Sequence, residues 1–213
     1  MSNLAIQMHE GTVHIVDDDP ALRTALVRLC RSAGLVAVGH SGIASLISRQ
    51  RSGPECILLD VQLGQHNGLE VQEALRSAGC RVPIIFLTGF GTIPLTVEAM
   101  RGGAADVLTK PVMDEVLLDA IDRALRADAA AISEAQTRDE LARRHKTLTP
   151  RECDVMACAI GGLMNKQIAA ELDISEVTAK VHKRRVMEKM QATSLIDLIR
   201  MADRLGIAPK RQR

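Results

Sequence analysis

The sequence predicts an α/β domain, a five-stranded parallel sheet wound on both faces by helices, followed by an all-α domain of four short helices. Three observations predict it. In the first 125 residues, short apolar runs alternate with stretches of helical periodicity, the pattern of a parallel sheet with helical crossovers. After Thr147 no strand pattern remains, and helix-capping signals recur instead. The charge also divides. Residues 1–125 hold 10 Lys and Arg against 14 Asp and Glu, net −4, whereas residues 126–213 hold 17 against 12, net +5. The overall charge of +1 conceals two unlike halves, the second suited to a polyanion.

After a tail over 1–11, the runs 12–16, 56–59, 83–87 and 105–109 read as strands, with a weaker one near 35–38. Helical periodicity covers 20–33, 43–49, 69–78, 93–101 and 114–125, so the α/β unit spans 12–125. Gly34, Gly79 and Gly102-Gly103 stand where helix C-caps are expected, and Asp19 caps a helix that opens on Pro20. The expected strand order is the flavodoxin-like 2-1-3-4-5, which places the first and third strands side by side at the topological switch point.

Residues 126–146 are rich in Ala and charge without Gly or Pro, and read as a helical linker continuing the fifth helix. Twenty-one helical residues span about 30 Å. From 147 to 213 four helices are expected. Thr149-Pro150-Arg151-Glu152 is a capping box opening the first, which stops at Gly161-Gly162. Asn165 is expected to cap a second helix through Leu172, and Ser175 a third through about Met190. Ser194 with Asp197 makes a further capping box for a fourth, ending at Gly206. The second and third, joined tightly at Asp173-Ile174, have the proportions of a helix-turn-helix.

Composition narrows the function. No apolar run approaches the roughly 18 residues needed to span a bilayer, and the N-terminus has no signal-peptide pattern, so a cytoplasmic protein is expected. The five cysteines show neither CxxC nor zinc spacing and are expected to be reduced thiols. With no Trp, no Tyr and only Phe86 and Phe90, base stacking on single strands is disfavoured.

Chemistry concentrates at strand ends. The Asp17-Asp18 pair, Asp60, Thr88 and Lys110 end four separate runs, where open parallel sheets place their sites. Three carboxylates brought together repel, and a hard divalent cation with oxygen ligands relieves the repulsion, Mg²⁺ best of all. Asp60 is then a carboxylate nucleophile for a phosphoryl group, Lys110 its ion-pair partner and Thr88 a hydrogen-bond donor to phosphoryl oxygens. Each residue also has a plain reading, as helix cap, loop acid, turn residue or solvated strand end. The conjunction of all of them favours the functional one.

Residues 12–125 resemble a response-regulator receiver domain, through VHIVDDDP, ILLDVQLGQHNGLE, IIFLTGFGTIPLTVEAM and VLTKP in order and spacing. The resemblance implies that Asp60 is the phosphoacceptor and that Asp18, Asp60 and the backbone carbonyl of Gln62 bind Mg²⁺, with Asp17 assisting through water. Thr88 and Lys110 would be the switch pair, and Lys110-Pro111 a cis peptide. The implied phosphodonor is a sensor histidine kinase, with acetyl phosphate as a small-molecule source. Two positions depart from the pattern. Val107 stands where many receivers carry an aromatic residue, and Gly64 where Pro is common.

The segment 147–206, with GLMNKQIA and VHKRRVMEKM, resembles the helix-turn-helix domain that closes LuxR/FixJ-type (NarL-like) regulators. On the helix from Ser175, Ala179, Val186 and Met190 share one face and should be core, with His182 beside them. Lys180 and Arg184 are expected in the major groove, with Val181 an apolar contact to a thymine methyl. Lys166, Thr178, Lys183 and Arg185 are the phosphate candidates. The last helix, with Leu195, Leu198 and Ile199, is implied to pair two subunits. The whole implies a transcription regulator, not an enzyme, whose phosphorylation favours a homodimer on double-stranded promoter DNA, with RNA polymerase a further partner. Two alternatives stand beside it: a regulator independent of phosphorylation, and an aspartate-nucleophile phosphohydrolase built on Asp17-Asp18-Asp19.

Overall fold

The structure is a computed structural model describing residues 10–42, 46, 50–64, 66–89 and 93–210. It divides into two compact units, Met1–Ile132 and Ser133–Arg213. The expected helix over 43–49 lies outside the described residues apart from Leu46, which is buried.

In the first unit, strands β1 (Thr12–Val16), β2 (Val36–His40) and β3 (Glu55–Asp60) are followed by a two-residue hairpin, β4 (Gln62–Leu63) with β5 (His66–Asn67). Strands β6 (Ile84–Thr88) and β7 (Asp106–Thr109) complete a five-stranded parallel sheet ordered β2-β1-β3-β6-β7. Leaving the hairpin aside, this is the expected 2-1-3-4-5. Strand β3 is buried along its whole length, because helices cover both of its faces. Strand β2 reaches two residues further than its apolar signal: Gly39 and His40 add none, yet the ladder with β1 continues to Val16 opposite His40. It is an edge strand, with Val36 and Val38 exposed, which is why its pattern is weak.

Helices α1 (Pro20–Ser32), α2 (Gly68–Ser77), α3 (Ile93–Arg101) and α4 (Asp114–His145) alternate with the strands. One core joins Val13, Ile15, Leu58 and Leu87 to Leu26 and Cys30 of α1 and to Leu117, Ile121 and Leu125 of α4. The other joins Ile57, Leu59 and Phe86 to Val71 and Leu75 of α2 and Ala99 of α3. Beyond Leu125 the helix runs on unbroken. Within the first unit its Asp128 is buried, accepts a hydrogen bond from the Glu55 N–H at 2.8 Å, and pairs with Arg51.

The second unit holds the end of α4 and helices α5 (Pro150–Ile160), α6 (Asn165–Leu172), α7 (Glu176–Met190) and α8 (Leu195–Leu205). The Thr149–Glu152 capping box forms as expected, and the Ser175 hydroxyl accepts from the Thr178 N–H. Two caps differ from expectation. Asn165 is the first helical residue of α6 rather than its cap. Met164 is the N-cap, and because it has no oxygen to offer, Gln167 closes the turn by accepting from the Met164 N–H at 2.8 Å. At α8, Ser194 caps the Asp197 N–H, but the Asp197 carboxylate accepts from the Thr193 N–H and hydroxyl, one residue earlier than a capping box requires. The turn between α6 and α7 is made by Asp173 in the left-handed region, φ 52°. Of the apolar residues named on α8, Leu198 is fully buried in the core and Leu195 and Ile199 are half-buried; Ile196, not singled out in the sequence, is 65% exposed.

Candidate functional sites

The carboxyl ends of the parallel strands bring Asp17, Asp18 and Asp60 together, with one carboxylate oxygen of each within 4.8 Å of the others. Asp17 and Asp60 are buried, and Asp18 is exposed. Lys110, one residue past β7, reaches into the cluster: its Nζ donates to Asp60 Oδ2 at 2.7 Å and to Asp17 Oδ2 at 3.2 Å. The other oxygens of Asp17 and Asp60 are also engaged. Asp17 Oδ1 accepts from the Asp19 N–H at 2.8 Å, and Asp60 Oδ1 from the Gln62 N–H at 3.1 Å. Thr88 ends β6 with its side chain buried, and its carbonyl accepts from the Lys110 N–H at 2.7 Å. The Lys110-Pro111 peptide is cis.

Burial pushes the Asp17 carboxyl above its ordinary value, and the Asp19 N–H and Lys110 counter only part of that. Burial acts against the Lys110 ammonium, but the hydrogen bond and charge of Asp60, then those of Asp17, outweigh it and hold the lysine above its ordinary value. The site therefore carries one firmly charged cation among three acids. A cleft opens over it, lined by Asp18, Asp60, Val61, Gln62, Gly64, Asn67 and Leu95. This donor set of hard oxygens suits Mg²⁺.

Two features of this site escaped the sequence. Asn67 lines the cleft and caps α2, its Oδ1 accepting from the Leu69 N–H, so the helix begins one residue before the expected start. Gly68 is needed for close approach: a Cβ there would lie 2.6 Å from the carbonyl oxygen of Asp60. Asn followed by Gly and, at the third position, Glu70 is a helix-start signal that would have located both.

On α7, Ala179, Val186 and Met190 are fully buried, as their spacing requires. Lys180, Val181, Arg184 and Arg185 are exposed, Lys183 and Thr178 are half-buried, and Lys166 is exposed near the start of α6. Arg184 pairs with Glu188 at 3.2 Å, and the Thr178 hydroxyl lies 2.7 Å from that of Ser175.

Residues 13–122 match the model of the response regulator receiver domain, and residues 146–202 that of the luxR family of bacterial regulatory proteins. Nodulation protein W of Bradyrhizobium diazoefficiens is 44% identical over 200 residues, covering 93% of this chain and 88% of that one. The transcriptional regulatory protein FixJ of the same species is 41% identical, covering 93% and 97%. The chain belongs to the two-component response regulators. The solved structure of the response regulator StyR matches with a TM-score of 0.80 and 39% identity over 92% of this chain and 99% of that one.

As a response regulator with a receiver and a LuxR-type DNA-binding domain, the protein is a transcription regulator rather than an enzyme, and the phosphohydrolase alternative falls. Its two departures from the receiver pattern have structural counterparts. Gly64 takes φ 58°, a conformation closed to proline, and Val107 packs half-buried against the core beside Phe86. Among the described residues no helix is long and apolar enough to cross a membrane. The cysteines are free, and burial pushes Cys30 up to about 11, which leaves it a core thiol without nucleophilic character.

Proposed function

We propose that a sensor histidine kinase phosphorylates this protein on Asp60, and that the modified form dimerises and binds promoter DNA. The observation that carries this is the bridge from Lys110 to Asp60 and Asp17 inside the three-acid cluster. Lys110 and the Gln62 N–H fix both oxygens of the Asp60 carboxylate, orienting it toward the cleft. An Asp60 oxygen forms the new bond to phosphorus as the bond from phosphorus to the donor nitrogen breaks. Lys110 stays within reach of the phosphoryl oxygens, and Thr88 donates to one of them. Asp18, Asp60 and the Gln62 carbonyl would hold Mg²⁺, with Asp17 acting through water. When bound, Mg²⁺ offsets the charge of the incoming phosphoryl group.

The dimer contact is assigned to the face of α3 and β7, where Ile93 is 81% exposed and Val97 and Met100 are also open to solvent. In this reading residues 12–125 receive the phosphoryl group, 126–146 connect, and 147–213 bind DNA. Lys180, Val181 and Arg184 read base edges, while Lys166, Thr178, Lys183 and Arg185 hold phosphates. RNA polymerase is a further partner at the promoter, and the protein works in the cytoplasm, where the DNA is.

The test is a donor assay followed by light scattering. With Mg²⁺ and acetyl phosphate, the parent should gain about 80 Da, one phosphoryl group, and Asp60→Asn none. With beryllofluoride the parent should shift from monomer to dimer, and both Asp60→Asn and Ile93→Glu should remain monomers. A parent that takes no phosphoryl group from acetyl phosphate or from any kinase would favour the phosphorylation-independent alternative.

A further inference from the structure

The exposed strip of α7 carries two bulky apolar side chains. Val177 is 74% exposed and Val181 is 40% exposed. Four residues apart, they are neighbours on one helix face. Neither belongs to the apolar clusters of the second unit, and Lys180, Arg184 and Arg185 are exposed around them. Val177 is the second residue of the helix, in a first turn fixed by Ser175, whose hydroxyl accepts from the Thr178 N–H at 3.1 Å. The opening turn of a recognition helix is the part that meets base edges. The surrounding cations mark the partner as a polyanion, yet an isopropyl group has no hydrogen bond to give a phosphate. In the major groove its apolar target is the C5-methyl group of thymine.

We propose that Val177 is a further sequence-reading residue beside Lys180, Val181 and Arg184, packing on a thymine methyl group, and that with Val181 it makes the helix a reader of two thymines in each half-site. The proposal rests on the DNA-binding reading above. Four helical residues rise about 6 Å and successive base pairs about 3.4 Å, so the two thymines stand one or two steps apart. Val177 neutralises no phosphate, so it contributes to sequence preference and not to the salt dependence of binding.

The experiment uses the full chain, activated with Mg²⁺ and beryllofluoride. A preferred duplex is selected from a randomised pool, and each of its thymines is then replaced in turn by deoxyuridine, which removes only the methyl group. At two thymines of a half-site the parent should lose about fourfold in affinity, the worth of one buried methyl group. In Val177→Ala one of those two positions should become indifferent to the replacement, and in Val181→Ala the other. The salt dependence should be the same in all three proteins. Val177 is largely solvated and outside the core, so the alanine variant keeps its fold. Selected half-sites without thymine, or a Val177→Ala variant that responds to every replacement as the parent does, would overturn the proposal while leaving DNA binding intact. An activated chain that selects no sequence would overturn the DNA-binding reading, and this inference with it.

Discussion

Lys189, in the last turn of α7, places its Nζ 2.6 Å from Oε2 of Glu152, the buried acid of the α5 capping box. The same carboxylate oxygen accepts from the Thr149 N–H at 2.8 Å, and Lys189 also donates to the Thr147 carbonyl at 3.0 Å. One side-chain pair thus ties the start of α5 to the end of α7, the helix proposed above to read DNA. It also removes Lys189 from the cations free to meet phosphate.

The pair predicts a pH dependence. The Lys189 hydrogen bond, followed by the Thr149 N–H, holds the Glu152 carboxyl down at about 2, against an ordinary 4.5. A depressed carboxyl stabilises the fold at pH above its unfolded value, and that contribution is lost as pH falls from about 5 toward 2. Thermal denaturation followed by circular dichroism should show Glu152→Gln less stable than the parent at pH 7 by about 1–3 kcal/mol. The difference should shrink toward pH 2, and an unchanging gap would sink the assignment.

Among the described residues Lys110 is the cation that ion-pairs with the carboxylates of the acid cluster, and it occupies oxygens that a metal would need. Lys110→Met should therefore bind Mg²⁺ more tightly than the parent, while Asp18→Asn binds it more weakly. The same Lys110→Met protein, given beryllofluoride, should fail to dimerise. Isothermal titration with Mg²⁺ checks the first half and light scattering the second.

Gly68 lies under the backbone of Asp60. A Cβ there would come within 2.6 Å of the Asp60 carbonyl oxygen and 2.9 Å of the Val61 Cα, neither of which can swing aside. Gly68→Ala should cost about 1–3 kcal/mol, the usual range for overpacking. It should also slow acetyl-phosphate labelling of Asp60, whereas Gly42→Ala, with nothing within 4 Å of its added carbon, should leave labelling unchanged.

The base readers and phosphate holders proposed on α7 should separate in a salt titration. Arg184→Ala is expected to cost about 1–3 kcal/mol on the preferred duplex and to flatten the sequence preference. Lys183→Ala should weaken binding evenly across duplexes and lower the slope of log affinity against log salt by about 1. If both variants behaved alike, the division between them would be wrong.

Much of this molecule follows from local rules. The period of the apolar runs and the caps at Asp19, Thr149, Ser175 and Ser194 place most elements to within a residue or two, because capping and periodicity depend on neighbours in the chain. The convergence of Asp17, Asp18, Asp60 and Lys110 was legible for the same reason. A parallel sheet brings its strand ends to one edge, so a residue's place at the end of a run already states its place in the site.

Other features were decided only by packing. The chain pattern alone does not say that Lys189 meets Glu152, that Asp128 holds the first residue of β3, or that Asp60 presses its carbonyl on Gly68. Each joins residues far apart or on different elements, and none follows a repeat. On α8 both Ile196 and Leu198 are apolar, and only the position of the neighbouring helices buries one and exposes the other. Val177 escaped notice in the same way, since an apolar residue in an amphipathic helix reads as core until its surroundings are seen. Sequence by itself determined most of the elements, the order of the five parallel strands and the acid site. Tertiary structure decided which side chains are held and which are left free to meet a partner, because burial is a property of the neighbours a fold supplies.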